Sequence, residues 1–563
     1  MARTIKLGAQ GFEGIRANGC FYVDKTGFVR DWWLAQDDVT LVCRPRRFGK
    51  TLNLDTVRCF LSRDFAGRGE ELFGGLGVWE DPAMRELQGT VPVVAMSFAR
   101  VKQSNFEAMC ARINELMVSL VEAHAYLYEW SGLSDRDRQG LDSVARDMDA
   151  VTCTNVPNML CRLLRRYHGV APVVLLDEYD APMECAWTHG YWDVASDFMR
   201  DLMNSTFKTN PAMGRGLITG VTRVSRESIF SDLNNLVVVT TSTPLYQTAF
   251  GFTQAEVDAA LAEYGLATKR DAVRDWYDGF TFGGIGHIYN PWSMTQLLQF
   301  GEFRAYWANT SGNGLVSEVV RRGDEELKAD FEELMRGGEV AKPIDEQVVF
   351  SELATTPEAV WALLLAAGYV TSSGPVPEFV EITPRSLRLT NREVRLSFDR
   401  MVRGWLAPAN ARYGQFERAL LAGDARTATR CLAEVTLACL SSFDGANRPA
   451  ASQPERFYHG LVLGMLASLR GRWSVESNRE SGFGRYDVAL VPTDGAAGTD
   501  PGVVMEFKVF DDWDEETLAD TVARAHAQID EKGYVAGLME RGIAPERIHT
   551  YGIAFRGKEV LVG

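Results

Sequence analysis

The chain has 563 residues, 46% hydrophobic and 24% charged, a globular composition with room for about three or four domains. No run nears the ~18 apolar residues that span a bilayer, and the start, Met1-Ala2-Arg3-Thr4-Ile5-Lys6, lacks the apolar core of a signal peptide, so a cytoplasmic protein without a membrane partner is expected. The net charge of −16 argues against a protein that coats nucleic acid, and nine scattered cysteines without a C-x-x-C pair indicate neither a zinc site nor a disulfide framework.

Apolar Val39 to Val42 precedes Arg44-Pro45-Arg46-Arg47-Phe48-Gly49-Lys50-Thr51, and Leu52-Asn53-Leu54 follows. The order reads as strand, tight loop and helix start, the setting in which Gly-Lys-Thr holds a nucleotide. Backbone N–H groups from Arg46, Arg47, Phe48 and Gly49 would wrap the phosphates. Lys50 would reach the β/γ oxygens, and the Thr51 hydroxyl would ligate Mg²⁺. Arg44 stands where such loops carry their first glycine, so the motif needs a partner elsewhere.

That partner is Pro172-Val173-Val174-Leu175-Leu176-Asp177-Glu178, a continuously apolar strand ending in two acids. Open α/β sheets place ligands at the carboxyl ends of their strands. Asp177 is the candidate Mg²⁺ ligand, and Glu178 the candidate to polarise the water attacking the γ-phosphate. Either motif alone also fits an ordinary turn or a strand capped by solvated acids. Together, in this order, they point to ATP binding.

Val91–Ser97, Leu217–Val221 and Leu236–Thr240 read as further strands, with helical spacing over Phe106–Ala125 and Thr154–Tyr167. This alternation predicts a parallel sheet with crossover helices over residues 1–252. From 253 to 450 the pattern turns helical (Gln254–Tyr264, Val360–Ala367, Ala419–Leu440), with aromatic-rich turns such as Trp276-Tyr277-Asp278-Gly279-Phe280 and Tyr289-Asn290-Pro291-Trp292 that would pack against a core. From 451 to 563 it becomes helix (Pro454–Arg470), strands (Trp473–Asn478, Tyr486–Val491, Val503–Val509), helix (Glu515–Glu531) and a closing pair (Thr550–Phe555, Lys558–Val562).

In the last region Asp487 lies near the start of one strand and Glu506-Phe507-Lys508 on the next. Alternation puts Glu506 and Lys508 on one face. Two carboxylates converging with a lysine suit metal-dependent phosphodiester hydrolysis: Asp487 and Glu506 would hold Mg²⁺ or Mn²⁺, and Lys508 would stabilise charge building on phosphate. Glu455 and His459 at i, i+4 spacing, and Gln528, are further candidates, and Arg479, Arg485 and Arg456 would supply a local positive patch. Against this stand the acids of Asp511-Asp512-Trp513-Asp514-Glu515-Glu516, which fit a solvated helix start. An exposed E-x-K is commonly an ordinary ion pair.

Taken together, Cys20-Phe21-Tyr22-Val23-Asp24-Lys25-Thr26, the Arg44–Thr51 loop, Leu176-Asp177-Glu178-Tyr179-Asp180-Ala181-Pro182, Gly216-Leu217-Ile218-Thr219-Gly220-Val221-Thr222-Arg223 and the two aromatic segments resemble the AAA-ATPase-like family of bacterial proteins. The later stretches Glu455–Gly460, Ser477–Asp487 and Glu506–Lys508 are similar to the PD-(D/E)xK nuclease domain that typically ends those proteins. The resemblance implies a P-loop ATPase fold, a helical middle domain and a C-terminal restriction-endonuclease-like α/β domain. It suggests that Tyr22 to Thr26 closes over the nucleotide and that Arg223 senses the γ-phosphate, in cis or across subunits of a homo-oligomer. It implies no established substrate. The leading expectation is an ATPase coupled to a Mg²⁺-dependent nuclease acting on DNA or RNA. A non-cleaving nucleotide switch or scaffold, and a loop that binds no nucleotide, remain as alternatives.

Overall fold

Five apolar segments form a parallel sheet in the computed structural model: β1 (Val39–Cys43), β2 (Val93–Ser97), β3 (Val173–Asp177), β4 (Arg215–Gly220) and β5 (Leu236–Val239), in spatial order β2-β3-β4-β1-β5. The described residues are 2–222, 230, 233–307, 316, 325–344, 356–372, 384–405, 410–441, 458–493 in part, 499–511, 515–556 and 559–563. Strands β1 and β3 are buried along their whole length, whereas the edge strands β2 and β5 are partly open, as expected for a sheet covered on both faces. Crossover helices start on side-chain caps. Asn105 accepts from the Ala108 N–H to open Phe106–Glu122, and Asp149 accepts from the Thr152 N–H to open Ala150–His168. Among the described residues no helix is long and apolar enough to cross a membrane.

The chain divides into two compact units, Met1–Ser397 and Phe398–Gly563. The position 252/253 falls inside the first. There, β6 (Phe252–Thr253), β7 (Phe280–Phe282) and β8 (Ile285–Tyr289) make a small antiparallel sheet, and Phe280, Phe282 and Ile288 belong to the same core as Phe48 and Val42. A second antiparallel sheet joins β9 (Val340–Pro343), β10 (Val370–Ser372) and β11 (Pro384–Leu389). The helical patterns at Gln254–Glu263 and Pro357–Ala367 are present beside these sheets. Strands of two to six residues between aromatic turns leave too short a period-2 signal to read.

The second unit holds a mixed sheet of β12 (Trp473–Ser481), β13 (Gly484–Pro492), β14 (Gly502–Val509), β15 (Ile548–Arg556) and β16 (Glu559–Val562), in that spatial order. β13 and β14 are antiparallel. β14 and β15 are parallel, joined through helix Leu518–Lys532, which starts on a Thr517/Asp520 capping box. Gly552 on β15 admits this helix: a Cβ there would lie 2.7 Å from the Val522 carbonyl. Helices Asn410–Leu421 and Ala425–Ser441 pack onto the same core. They are separated at Gly423, where the pattern alone reads as one helix beginning at Ala419. Much of the expected Pro454–Arg470 helix, with Glu455, Arg456 and His459, lies outside the described residues, as does Arg223. So do the side chains of Arg479 and Arg485.

Candidate functional site

The first candidate site lies where β1, β3 and β4 end. After Cys43 the chain turns through Arg47 (φ 67°) and Gly49 (φ 81°), both left-handed, into helix Lys50–Leu61. Such a turn aims successive N–H groups at one point, an anion-binding concavity at a helix N-terminus. The Lys50 ammonium is buried and donates to the carbonyls of Arg44 (2.8 Å) and Pro45 (2.9 Å). Burial pushes its pKa down, while Asp180, Asp177 and Glu178 push it back up, so three carboxylates face one lysine.

Asp177, at the tip of β3, is gripped from both sides. The Thr51 hydroxyl donates to Oδ2 (2.8 Å) and the Thr219 hydroxyl of β4 donates to Oδ1 (2.6 Å). The structure thus brings Lys50, Thr51 and Asp177 together. Glu178 follows with φ 50°, a strained conformation for this side chain, and burial, then the neighbouring Asp177, raise its pKa. Asp180 accepts from the N–H groups of Val221 (2.8 Å) and Thr222 (3.0 Å), tying the acidic turn to the end of β4.

The other loop residues divide their work. Phe48 is fully buried, edge-on to Phe280 (4.7 Å) and Phe282 (5.3 Å), so only its backbone faces the concavity. Arg46 pairs with Glu184 at 2.5 Å, and its carbonyl accepts from Asn290 Nδ2 (3.3 Å) and Trp307 Nε1 (3.1 Å). Arg47 is exposed and stacks over Trp292 at 4.7 Å. The aromatic segments therefore clamp the loop. Arg44, in place of the missing glycine, is wholly buried. It donates to the carbonyls of Cys43 (2.9 Å), Thr240 (2.6 Å) and Leu245 (3.3 Å) and lies 4.7 Å over Phe282. It fixes the loop from behind. In the Tyr22–Thr26 segment, Lys25 binds Glu256 and the Thr248 carbonyl, while Asp24 accepts from Thr26 and from the Gly77 N–H. These bonds tie down a turn in which Thr26 is buried and Asp24 is exposed.

The second candidate site sits where β13 and β14 part. Their pairing covers Val488–Leu490 against Val503–Met505, and beyond it the Asp487 carboxylate accepts from the Phe507 N–H at 2.8 Å. Glu506 and Lys508 share a face, with Lys508 Nζ 3.1 Å from Glu506 Oε1, while Phe507 points into the opposite core. Gln528 of helix Leu518–Lys532 donates to the same Oε1 and lies 3.3 Å from the Tyr534 hydroxyl. Glu506 is 1% exposed, and among the described residues its Oε2 has no hydrogen-bond partner. Burial, then the charge of Asp487, lift its pKa to about 7. A buried, unsatisfied carboxylate oxygen beside a second carboxylate suits a hard divalent cation. Among the described residues no group of three or more His, Cys, Asp or Glu side chains is placed to hold a metal, and Asp487 and Glu506 are the two acids brought together here.

Thr219 and Tyr534 were not singled out from sequence. Thr219 sits inside a segment that reads simply as strand, and its role needs the β3–β4 register. Tyr534 follows Gly533, whose left-handed φ of 63° ends the helix and turns the ring back toward Gln528.

With this geometry in place, the wider likeness is informative. Residues 6–230 match the family described as predicted AAA-ATPase, and residues 453–563 match the PD-(D/E)XK nuclease superfamily. The chain therefore joins a domain of the AAA-ATPase-like family to a C-terminal domain of the PD-(D/E)XK nuclease superfamily. It is also 29% identical over 577 aligned positions to an uncharacterized protein in the vnfD 5′ region of Azotobacter chroococcum mcd 1, covering 100% of this chain and 98% of that one.

Two outcomes follow from these environments. Arg44→Gly restores the usual loop glycine yet is expected to cost about 2–4 kcal/mol of first-unit stability in denaturant titration, because it strands buried carbonyls. For Glu506, the folded pKa of about 7 lies above the ordinary value of 4.5. The native state therefore holds a proton that the unfolded chain releases between those pH values, and stability falls as pH rises through that window. In EDTA, Glu506→Gln should raise the melting temperature of the second unit at pH 8, with the gain vanishing near pH 4.5.

Proposed function

We propose that the protein binds and hydrolyses ATP at the β1/β3/β4 site and cleaves a nucleic-acid phosphodiester at the β13/β14 site, with nucleotide state licensing cleavage. At the first site the Lys50 ammonium would exchange its two loop carbonyls for β/γ-phosphate oxygens, and the N–H groups of Arg46 to Gly49 would bind phosphate. Thr51 and Asp177 would hold Mg²⁺. Glu178, its proton affinity raised by burial, would accept a proton from the attacking water. Arg46 and Arg47 add positive charge at the rim, and Arg223 is retained as a γ-phosphate sensor.

At the second site Asp487 and Glu506 would hold the divalent cation, which supplies a water of lowered pKa and charge neutralisation on the scissile phosphate. Lys508 would stabilise the developing negative charge, and Gln528 would orient Glu506. The observation that carries this half is the buried Glu506 Oε2, which has no partner among the described residues and lies next to a second acid. The substrate class is DNA or RNA, and a homo-oligomer and a cytoplasmic setting fit this reading.

The alternative is a nucleotide-dependent switch whose second unit binds a partner without cutting. The net charge of −16 favours it, since an anionic chain repels a phosphate backbone outside a local patch.

Incubation of the full chain with plasmid, single-stranded DNA and RNA, with and without Mg²⁺ and ATP, separates the two. Cleavage that needs Mg²⁺ and falls at least about 100-fold in Glu506→Ala and Lys508→Ala supports the proposal. Absence of cutting under every condition supports the switch.

A further inference from the structure

Two side chains grip the Arg46 carbonyl, and one buried acid reaches both of them. The carbonyl accepts from Asn290 Nδ2 (3.3 Å) and Trp307 Nε1 (3.1 Å). Glu393, in the first turn of helix Arg392–Trp405, is 1% exposed. Its Oε1 accepts from the Trp307 N–H at 2.6 Å, and its Oε2 accepts from the Ser293 hydroxyl at 2.8 Å. The Ser293 N–H donates to Asn290 Oδ1 (3.2 Å), as does the Trp292 N–H (2.9 Å). These bonds set the amide plane of Asn290, whose Nδ2 aims at the loop. Two arms thus leave one carboxylate and meet again at one carbonyl oxygen.

The peptide between Arg46 and Arg47 is planar and trans, so its carbonyl and its N–H point in opposite directions. Drawing the carbonyl toward Asn290 and Trp307 therefore sends the Arg47 N–H away from them. Arg47 has a left-handed φ of 67°, a conformation that persists only where the surroundings impose it. Stability alone does not call for an acid at 393. Burying a carboxylate is costly, and an apolar side chain of similar volume packs as well. Burial, opposed by the N–H groups of Trp307 and Tyr306 and by the Ser293 hydroxyl, lifts the Glu393 pKa to about 7. Near neutrality the group is partly the neutral acid, a form that a glutamine amide imitates.

We propose that Glu393 is a positioning residue for the phosphate seat: acting through Trp307 and through the Ser293–Asn290 arm, it turns the Arg47 N–H into the concavity ahead of the nucleotide. The proposal rests on the ATP reading above and names what pre-orients that loop. The ligand group served is a polyphosphate oxygen, whichever base the nucleotide carries. Glu393 itself touches no phosphate.

The test is calorimetric titration of the full chain with ATP plus Mg²⁺ and, separately, with inorganic tripolyphosphate. Glu393→Ala should weaken both ligands about 10- to 100-fold, the worth of one charge-assisted hydrogen bond. Trp307→Phe keeps an aromatic ring and deletes the Nε1 donor, so it should weaken them by about 10-fold or less. The combined variant should lose no more than Glu393→Ala alone, because both changes act on one peptide. Glu393→Gln should bind within about 3-fold of wild type, since its amide can accept from Trp307 and donate to the Ser293 oxygen. If Glu393→Ala does not fold, Ser293→Ala cuts one arm more mildly, with an expected loss of about 3- to 10-fold. Additive losses, a glutamine as damaging as alanine, or alanine variants at both positions that bind like wild type would overturn the positioning role. The ATP reading survives each of these results provided that Lys50→Ala still abolishes binding. No heat with wild type for either ligand overturns both.

Discussion

The Asp177 carboxylate is the point on which the first unit turns. Its two oxygens take hydroxyl hydrogens from Thr51 on the loop helix and Thr219 on β4, so one side chain binds three elements at the tips of their strands. Parallel register between β3 and β4 and between β4 and β1 sets the alignment, because Thr219 pairs across to Val42 of β1 while Leu176 faces Ile218. The buried Lys50 then has three carboxylates around it and its proton held by loop carbonyls. An incoming polyphosphate would meet a cation and a row of N–H groups already in position.

Both candidate sites keep groups that folding alone would avoid. Lys50 is buried, Glu178 adopts a left-handed backbone, and Glu506 is buried with one oxygen unpaired among the described residues. Each costs stability, and structures retain such features where a ligand later resolves them. The surroundings offset the cost. Arg44 and the Phe48–Phe280–Phe282 cluster brace the loop, and Gln528 and Lys508 share one oxygen of Glu506.

Much of this was legible in the chain. The buried strands announced themselves as apolar runs, and Gly49-Lys50-Thr51 with Asp177-Glu178 pointed to the first candidate site, as Asp487, Glu506 and Lys508 pointed to the second. Arg44 reads only as a residue standing where a glycine is usual; its burial among carbonyls shows it as a brace. The aromatic segments read as ordinary packing. They are packing, but what Phe280, Phe282, Trp292 and Trp307 pack against is the loop itself, a long-range fact with no local signature. Thr219 and Tyr534 were illegible for the same reason, since strand register and the turn after Gly533 bring them in.

Lys50, Thr51 and Asp177 are proposed to form one seat for a metal-bound nucleotide. Calorimetric titration of ATP, with and without Mg²⁺, into wild type, Lys50→Ala and Asp177→Asn tests it directly. The expected result is binding to wild type that Mg²⁺ strengthens, loss of binding in Lys50→Ala, and loss of the Mg²⁺ enhancement in Asp177→Asn. Equal heats for all three proteins, or no heat with wild type, would contradict it.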